Sequence, residues 1–244
     1  MIRWFLRGVT RRRLTTRYPR AEEQAPPGFR ARALLPTEPL VGDEARDVAA
    51  VCLPRALSVD PDGALAFDEQ RCIGCGLCAP ALAMDPGYES ARVGNSPRAL
   101  SPSFRRSLHI RHVDAGSDGA VEQEIAALLN PYYDMQRLGL FFTASPRHAD
   151  VLLVTGPVTK PMEAPLRRAY EAMPDPRVVV AAGTDACSGS IWTEPEVLGG
   201  VDRVLPVDVY VPGDPPTPVA LLHGLLLASG RTREASSPFT GRAA

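Results

Sequence analysis

Cys72, Cys75 and Cys78 stand at C-x-x-C-x-x-C spacing in the run Arg71-Cys72-Ile73-Gly74-Cys75-Gly76-Leu77-Cys78. One short loop can then aim three thiolates at a single centre. That is iron–sulfur chemistry if a cubane cluster sits there, and zinc chemistry if a single ion does. A [4Fe–4S] cube takes four ligands, and continuing the run to position 82 meets Leu82 rather than a cysteine.

In two-cluster ferredoxins the fourth cysteine of each motif ligates the other motif's cluster, so the missing ligand is sought upstream. Cys52 stands there, in Cys52-Leu53-Pro54-Arg55-Ala56-Leu57, ahead of a strand–turn–strand and then the cysteine loop. This resembles the ferredoxin order. The partner motif's positions 42, 45 and 48 are Gly42, Ala45 and Val48, and Leu82 is the ligand that lost cluster would have used. The resemblance implies one [4Fe–4S] cluster on Cys52, Cys72, Cys75 and Cys78. Structural zinc in the same thiolates, or a decayed site of buried thiols, stays open.

The elements that must position these residues follow from pattern. Asp43 to Cys52 reads as a helix, and 56–59 and 64–67 as strands around Asp60-Pro61-Asp62-Gly63, with a short helix after the cysteine loop. From 107 onward, apolar strands at 108–113, 139–143, 151–155, 178–182 and 201–207 alternate with helices at 121–129, 161–173 and 218–229. That alternation predicts an α/β fold with a mainly parallel, flavodoxin-like sheet. The segments read as a basic arm (1–41), a ferredoxin-like α+β module (42–84), a linker (85–106), the α/β domain (107–230) and a flexible tail (231–244). Ligands of such sheets sit beyond the carboxyl ends of the strands, here the loops at 114–120, 155–160, 183–190 and 211–217.

The 244 residues are 45% hydrophobic and 23% charged, an ordinary soluble composition. The net charge is −1, yet the first twenty residues hold seven arginines and no acid, so the rest carries −8. Ile2, Phe5, Leu6 and Val9 fall on one helical face among those arginines, as in a short basic amphipathic helix for an anionic surface or a partner; a frayed, solvated tail is the plainer reading. Five cysteines, three in one metal-type run, suit a reducing compartment better than a disulfide framework. No apolar run reaches membrane-spanning length, and no signal-peptide pattern is present. The acidic body argues against nucleic acid, and no P-loop or nucleophile elbow appears.

The second half carries Val113-Asp114-Ala115-Gly116-Ser117, Asn130-Pro131-Tyr132-Tyr133-Asp134, Ser145 to Thr159, Met173-Pro174-Asp175-Pro176-Arg177 and Val211-Pro212-Gly213-Asp214-Pro215-Pro216. In this order they resemble the small subunit of membrane-associated [NiFe] hydrogenases and the related 20 kDa subunit of complex I. Thr15-Thr16-Arg17-Tyr18-Pro19 and the ferredoxin-like module resemble members with such an insertion. The resemblance implies a large-subunit partner, a membrane arm or anionic membrane surface met by the N-terminal helix, and a place on the inner face of the cell membrane. It also implies a proximal [4Fe–4S] cluster at the strand ends, but its four cysteine positions hold Asp118, Val121, Asp185 and Asp214. Cys187 lies two residues past the third and is a candidate shifted ligand.

The expectation is therefore an electron-transfer or accessory subunit with one [4Fe–4S] cluster and no proximal cluster. A non-redox scaffold is the alternative, and a flavin protein a third class. At Asp118, Asp185 and Asp214 three readings compete: no bound group, a divalent cation such as Mg²⁺ or Ca²⁺, or an unusual cluster. Glu122 and Glu124 read as the polar face of a helix. Thr155-Gly156-Pro157-Val158-Thr159 is a candidate phosphate loop, and the four histidines have no metal-ligand spacing.

Overall fold

A computed structural model of the chain describes residues 6, 8–10, 14–95, 97, 98, 100, 102–189 and 195–234. Residues 6 and 8–10 are helical; Ile2 and Phe5 of the expected basic amphipathic face, and the tail from 235, lie outside the described residues. The arm at 18–41 is anchored. Tyr18 is buried, its hydroxyl donates to Glu89 at 3.0 Å, and Arg137 donates to its carbonyl at 2.7 Å. Burial, with Glu89 beside it, pushes the Tyr18 phenol far above its usual range. The arm also supplies a strand, β1 (Arg32–Leu34).

Helix α1 (Gly42–Ala50) turns Ala45 and Val48 inward. The hairpin β2 (Leu57–Val59) and β3 (Leu65–Phe67) follows, antiparallel, as the Asp60–Gly63 turn signal requires. Leu57 and Leu65 pack on Ala45, Val48 and Leu82 in a small core of their own. After the cysteine loop the expected helix is absent. A run of turns leads into β4 (Ala83–Asp85), which pairs antiparallel with β1. Pro80 has no N–H to continue a helix, and pairing with β1 satisfies the backbone instead.

The stretch 85–106 does more than link. It contains β5 (Arg92–Val93), which joins the central sheet antiparallel to its edge. Arg98 then pairs with buried Asp208, whose carboxylate also accepts from the N–H groups of Arg98 and Val179.

The α/β domain runs β6 (Leu108–Asp114), α2 (Ala120–Ala127), β7 (Leu140–Phe142), β8 (Val151–Thr155), β9 (Val158–Thr159), α3 (Lys160–Glu171), β10 (Val178–Ala182), α4 (Thr184–Ser188), β11 (Val197–Gly199), β12 (Val209–Val211) and α5 (Pro218–Ala228). The central sheet has the order β5-β12-β10-β8-β6-β7, and all pairs but β5–β12 are parallel. This is the flavodoxin-like arrangement, with the change of direction at β6. Strands β8 and β10 are buried along their whole length, as a sheet covered on both faces demands. One face packs on α2 and α5; the other is lined by Leu166, Ala186 and Val201.

The strand expected at 201–207 is displaced. Val201–Arg203 is a short 3-10 turn, and the ladder forms at β12. Pro206 cannot donate to a ladder, while the Asp208 N–H reaches the Val179 carbonyl at 2.9 Å and sets the strand beyond it. Helix α5 is apolar all round and buried, as a helix packed into a core must be. Thr217 caps it by accepting from the Ala220 N–H at 3.3 Å.

Candidate functional site

Cys52, Cys72, Cys75 and Cys78 line one apolar hollow with Ala33, Pro54, Leu57, Phe67, Ile73 and Met84. Cys52 follows α1 in a turn closed by its N–H on the Ala49 carbonyl at 3.1 Å, and its Sγ accepts from the Leu57 N–H at 3.4 Å. Cys72 follows a 3-10 turn capped by Asp68. Burial raises the Cys72 thiol; backbone N–H groups of Gly74 and Ala33 oppose this, and Cys52 and Cys75 add to it. Burial likewise raises Cys78, followed by Cys72 and, more weakly, Cys52 and Cys75. The four sulfurs are thus electrostatic neighbours although 26 positions separate the first from the last.

Glycine is required in the loop. Gly74 and Gly76 have φ of +67° and +75°, and a Cβ on Gly74 would lie 2.6 Å from the Arg30 carbonyl oxygen. The donor set is soft, its sulfurs accept backbone N–H bonds, and the walls are apolar, which together fit a [4Fe–4S] cluster. Among the described residues no group of three His, Cys, Asp or Glu side chains is gathered to hold a metal ion.

The loop is fastened to the second candidate region. The Thr184 hydroxyl, at the start of α4, donates to the Cys72 carbonyl at 3.2 Å and accepts from the Gly213 N–H at 3.1 Å. Glu69, just before the loop, pairs with both Arg32 on β1 and Arg92 on β5, the latter at 3.0 Å. Ile73 shares a small cavity with Gly213, Asp214 and Pro215. The cysteine loop therefore lies against the strand-end loops of the sheet.

At those strand ends Asp118 accepts from the Ala120 N–H at 2.9 Å and opens α2, and Asp185 lies in the first turn of α4. Asp214 is raised chiefly by burial and then by Asp185 and Asp118. The three aspartates are close enough to sense one another, yet they form no metal-holding group. Cys187 does not face them. Its sulfur is buried, donates to the Ala181 carbonyl at 3.5 Å, and burial drives its thiol far up. The turn of α4 sends that side chain into the core.

At the candidate phosphate loop two N–H groups are taken up within the fold. The Thr159 N–H donates to the Ala115 carbonyl at 3.0 Å and the Lys160 N–H to the Glu196 carbonyl at 2.9 Å. Glu122 does not lie on an outer polar face. Its Oε1 accepts from Thr155, whose oxygen faces His112 Nε2 at 2.9 Å, while its Oε2 is buried without a partner. These groups floor a groove of about 410 Å³ walled by Ile125, Leu129 and Phe142. Sequence reasoning missed Ala33, Leu57 and Thr184 as partners of the cysteine loop. Leu57 alone carried a signal, its place five residues after a cysteine.

Residues 119–228 match the family described as "NADH ubiquinone oxidoreductase, 20 Kd subunit". The chain is 48% identical over 146 residues to "Probable membrane-bound hydrogenase subunit mbhJ" of Pyrococcus furiosus, covering 59% of this chain and 87% of that protein. It is 42% identical over 139 residues to "Formate hydrogenlyase subunit 7" of Escherichia coli, covering 57% and 54%. It is 51% identical over 94 residues to an NADH-quinone oxidoreductase subunit of Citrifermentans bemidjiense, covering 38% and 55%. The chain thus spans about half the length of the latter two relatives. Among the described residues no helix is long and apolar enough to cross a membrane.

Proposed function

Because the chain belongs to the NADH ubiquinone oxidoreductase 20 kDa subunit family, we propose that it is an electron-transfer subunit of a membrane-associated, hydrogenase-like or complex I-like oxidoreductase. It carries one [4Fe–4S] cluster, in the ferredoxin-like module at 42–84, and none at the strand ends. The observation that carries this reading is the hollow walled by Cys52, Cys72, Cys75 and Cys78, with backbone N–H groups aimed at its sulfurs. A cluster bound there supplies reversible one-electron transfer at a potential set by its hydrogen bonds and exposure.

The chain's own residues hold and shape that site. Cys52, Cys72, Cys75 and Cys78 are the ligands. Leu57, Gly74 and Ala33 donate N–H bonds to sulfur, which favours added negative charge. Thr184 ties the loop to the strand-end face, where a large-subunit homologue docks. The basic N-terminal segment meets the membrane arm or anionic lipid on the inner face of the cell membrane. Carboxylates at 118, 185 and 214 are hard donors poorly matched to iron–sulfide chemistry, so those positions hold no cluster.

Anaerobically reconstituted full-length protein tests the reading. About four irons and four sulfides per chain, with one electron paramagnetic resonance signal on reduction, are expected. Iron-free protein that still assembles with its large-subunit partner would instead make it a non-redox scaffold. The lost thiols at 118, 121, 185 and 214 favour that second reading.

A further inference from the structure

We propose that Arg32 is the positioning residue of the cysteine hollow, a buried cation that holds the arm strand against the loop and favours an added electron at the four sulfurs. The inference rests on the one-cluster reading and adds which charge, outside the ligands, tunes that site. Arg32 is 3% exposed and is the one buried arginine among the described residues. It stands on β1 opposite Asp85 of β4. Its guanidinium pairs with Asp85 at 3.1 Å and with Glu69. Glu69 also pairs with Arg92 of β5 at 3.0 Å.

Arg32 and both of its partners are chain neighbours of the hollow. Ala33 follows Arg32, lines the hollow and donates its N–H to the Cys72 sulfur. Met84 precedes Asp85, lines the hollow too, and is paired with Ala33 in the β1–β4 register. Glu69 stands three residues before Cys72. Side chains alternate across a strand. The ribbon of β1 and β4 therefore turns Ala33 and Met84 to the sulfurs and Arg32 and Asp85 to its back. The charges lie one ribbon's thickness behind the hollow, with Arg32 shut off from water.

Stability does not account for this arginine, because a buried ion pair adds little over apolar packing of similar volume. Its charge does have a consequence at the hollow. Arg32 and Arg92 face Glu69 and Asp85, so the set is balanced. Without the Arg32 charge one net negative charge is left behind the sulfurs, and an added electron is disfavoured. Without the Glu69 charge one net positive charge is left, and an added electron is favoured. Arg32 also ties β1 to the residues entering the loop, which keeps the Ala33 N–H on the Cys72 sulfur.

The test is a redox titration of the reconstituted full-length protein, with dithionite as electron donor and ferricyanide as acceptor, followed by electron paramagnetic resonance. Arg32→Met is expected to lower the reduced-to-oxidised ratio at a given potential about ten-fold, which for one electron is a midpoint lower by about 59 mV. Glu69→Gln, which keeps a hydrogen-bonding side chain, is expected to raise that ratio by up to about ten-fold. Arg32→Lys restores a midpoint near that of wild type. Arg167→Met, at an exposed arginine paired with Glu163 on α3, leaves it unchanged. A merely structural role would move Arg32→Met and Glu69→Gln in the same direction, through loosening of the loop and entry of water, and that result overturns the inference. An unchanged midpoint in both, or no rescue by lysine, overturns it as well. If Arg32→Met does not fold, the rise in Glu69→Gln and the wild-type value in Arg32→Lys decide alone. Iron and sulfide are assayed on the same samples. Wild type with a cluster but variants without opposite shifts break the role of Arg32 alone, whereas wild type that takes up no iron breaks the one-cluster reading and this inference with it.

Discussion

The cysteine hollow and the strand ends of the sheet lie against each other and differ in their donor atoms. At the hollow, four thiols line an apolar wall and accept N–H bonds from Leu57, Gly74 and Ala33. At the strand ends Asp118, Asp185 and Asp214 stand instead, with no thiol among them. Loops are held by ladders and packing that do not need the ligand, whereas cluster binding depends on the softness of each donor atom. Thr184 shows how closely the two regions are joined, since one hydroxyl bonds both the cysteine loop and the Asp214 loop.

The sharpest way to break this contrast is to exchange one donor on each side. Cys72→Ser is expected to drop iron from about four per chain to near none, while Asp185→Ser leaves it unchanged, by iron and sulfide assay. Equal losses would erase the distinction. Next in size is a pair of glycine variants followed by urea unfolding. Gly74→Ala meets a left-handed backbone and the Arg30 carbonyl and should cost at least about 2 kcal/mol. Gly119→Ala, at a φ of +91° with open space around it, should cost about 1 kcal/mol.

Thr184→Val tests the joint itself. Losing a hydroxyl that both donates and accepts should cost about 1–3 kcal/mol and raise hydrogen exchange around Cys72 and Gly213 together. Exchange rising on one side alone would mean that the two regions are independent.

The smallest effect concerns His112, at the floor of the groove. Burial lowers its pKa, with Glu122 and Asp114 opposing. The folded state therefore favours the neutral ring. Its contribution is present above the unfolded value of about 6.5 and declines as pH falls below that toward the folded pKa. The melting temperature of wild type should fall more than that of His112→Gln between pH 7.5 and pH 5.5.

Much of this was legible from local pattern. The alternation of apolar strands and helices from 107 gave the parallel sheet, because a sheet buried on both faces needs continuous apolar strands. Its one displaced strand moved past Pro206, a signal present in the sequence but outweighed by the valines at 201 and 204. Cysteine spacing was enough to point at Cys52, and the structure puts its sulfur with the other three. Glu122 was misread because a carboxylate near a helix start looks the same whether it faces water or a buried threonine.

By itself, then, the sequence determined the order of elements, the spacing of the four thiols and the carboxylates at the strand ends. These are written in residue type and short spacing. Only the tertiary structure decided that Ala33 from the arm backs Cys72, that Thr184 binds the loop to the α/β domain, that the Cys187 sulfur turns into the core and that β5 closes the sheet edge. The long-range contacts among these join residues as far apart as 118 positions, Arg92 and Tyr210. Even the direction of the Cys187 sulfur is set by a helix packed on the sheet. Such partners are selected by how whole elements pack, and no local pattern encodes that.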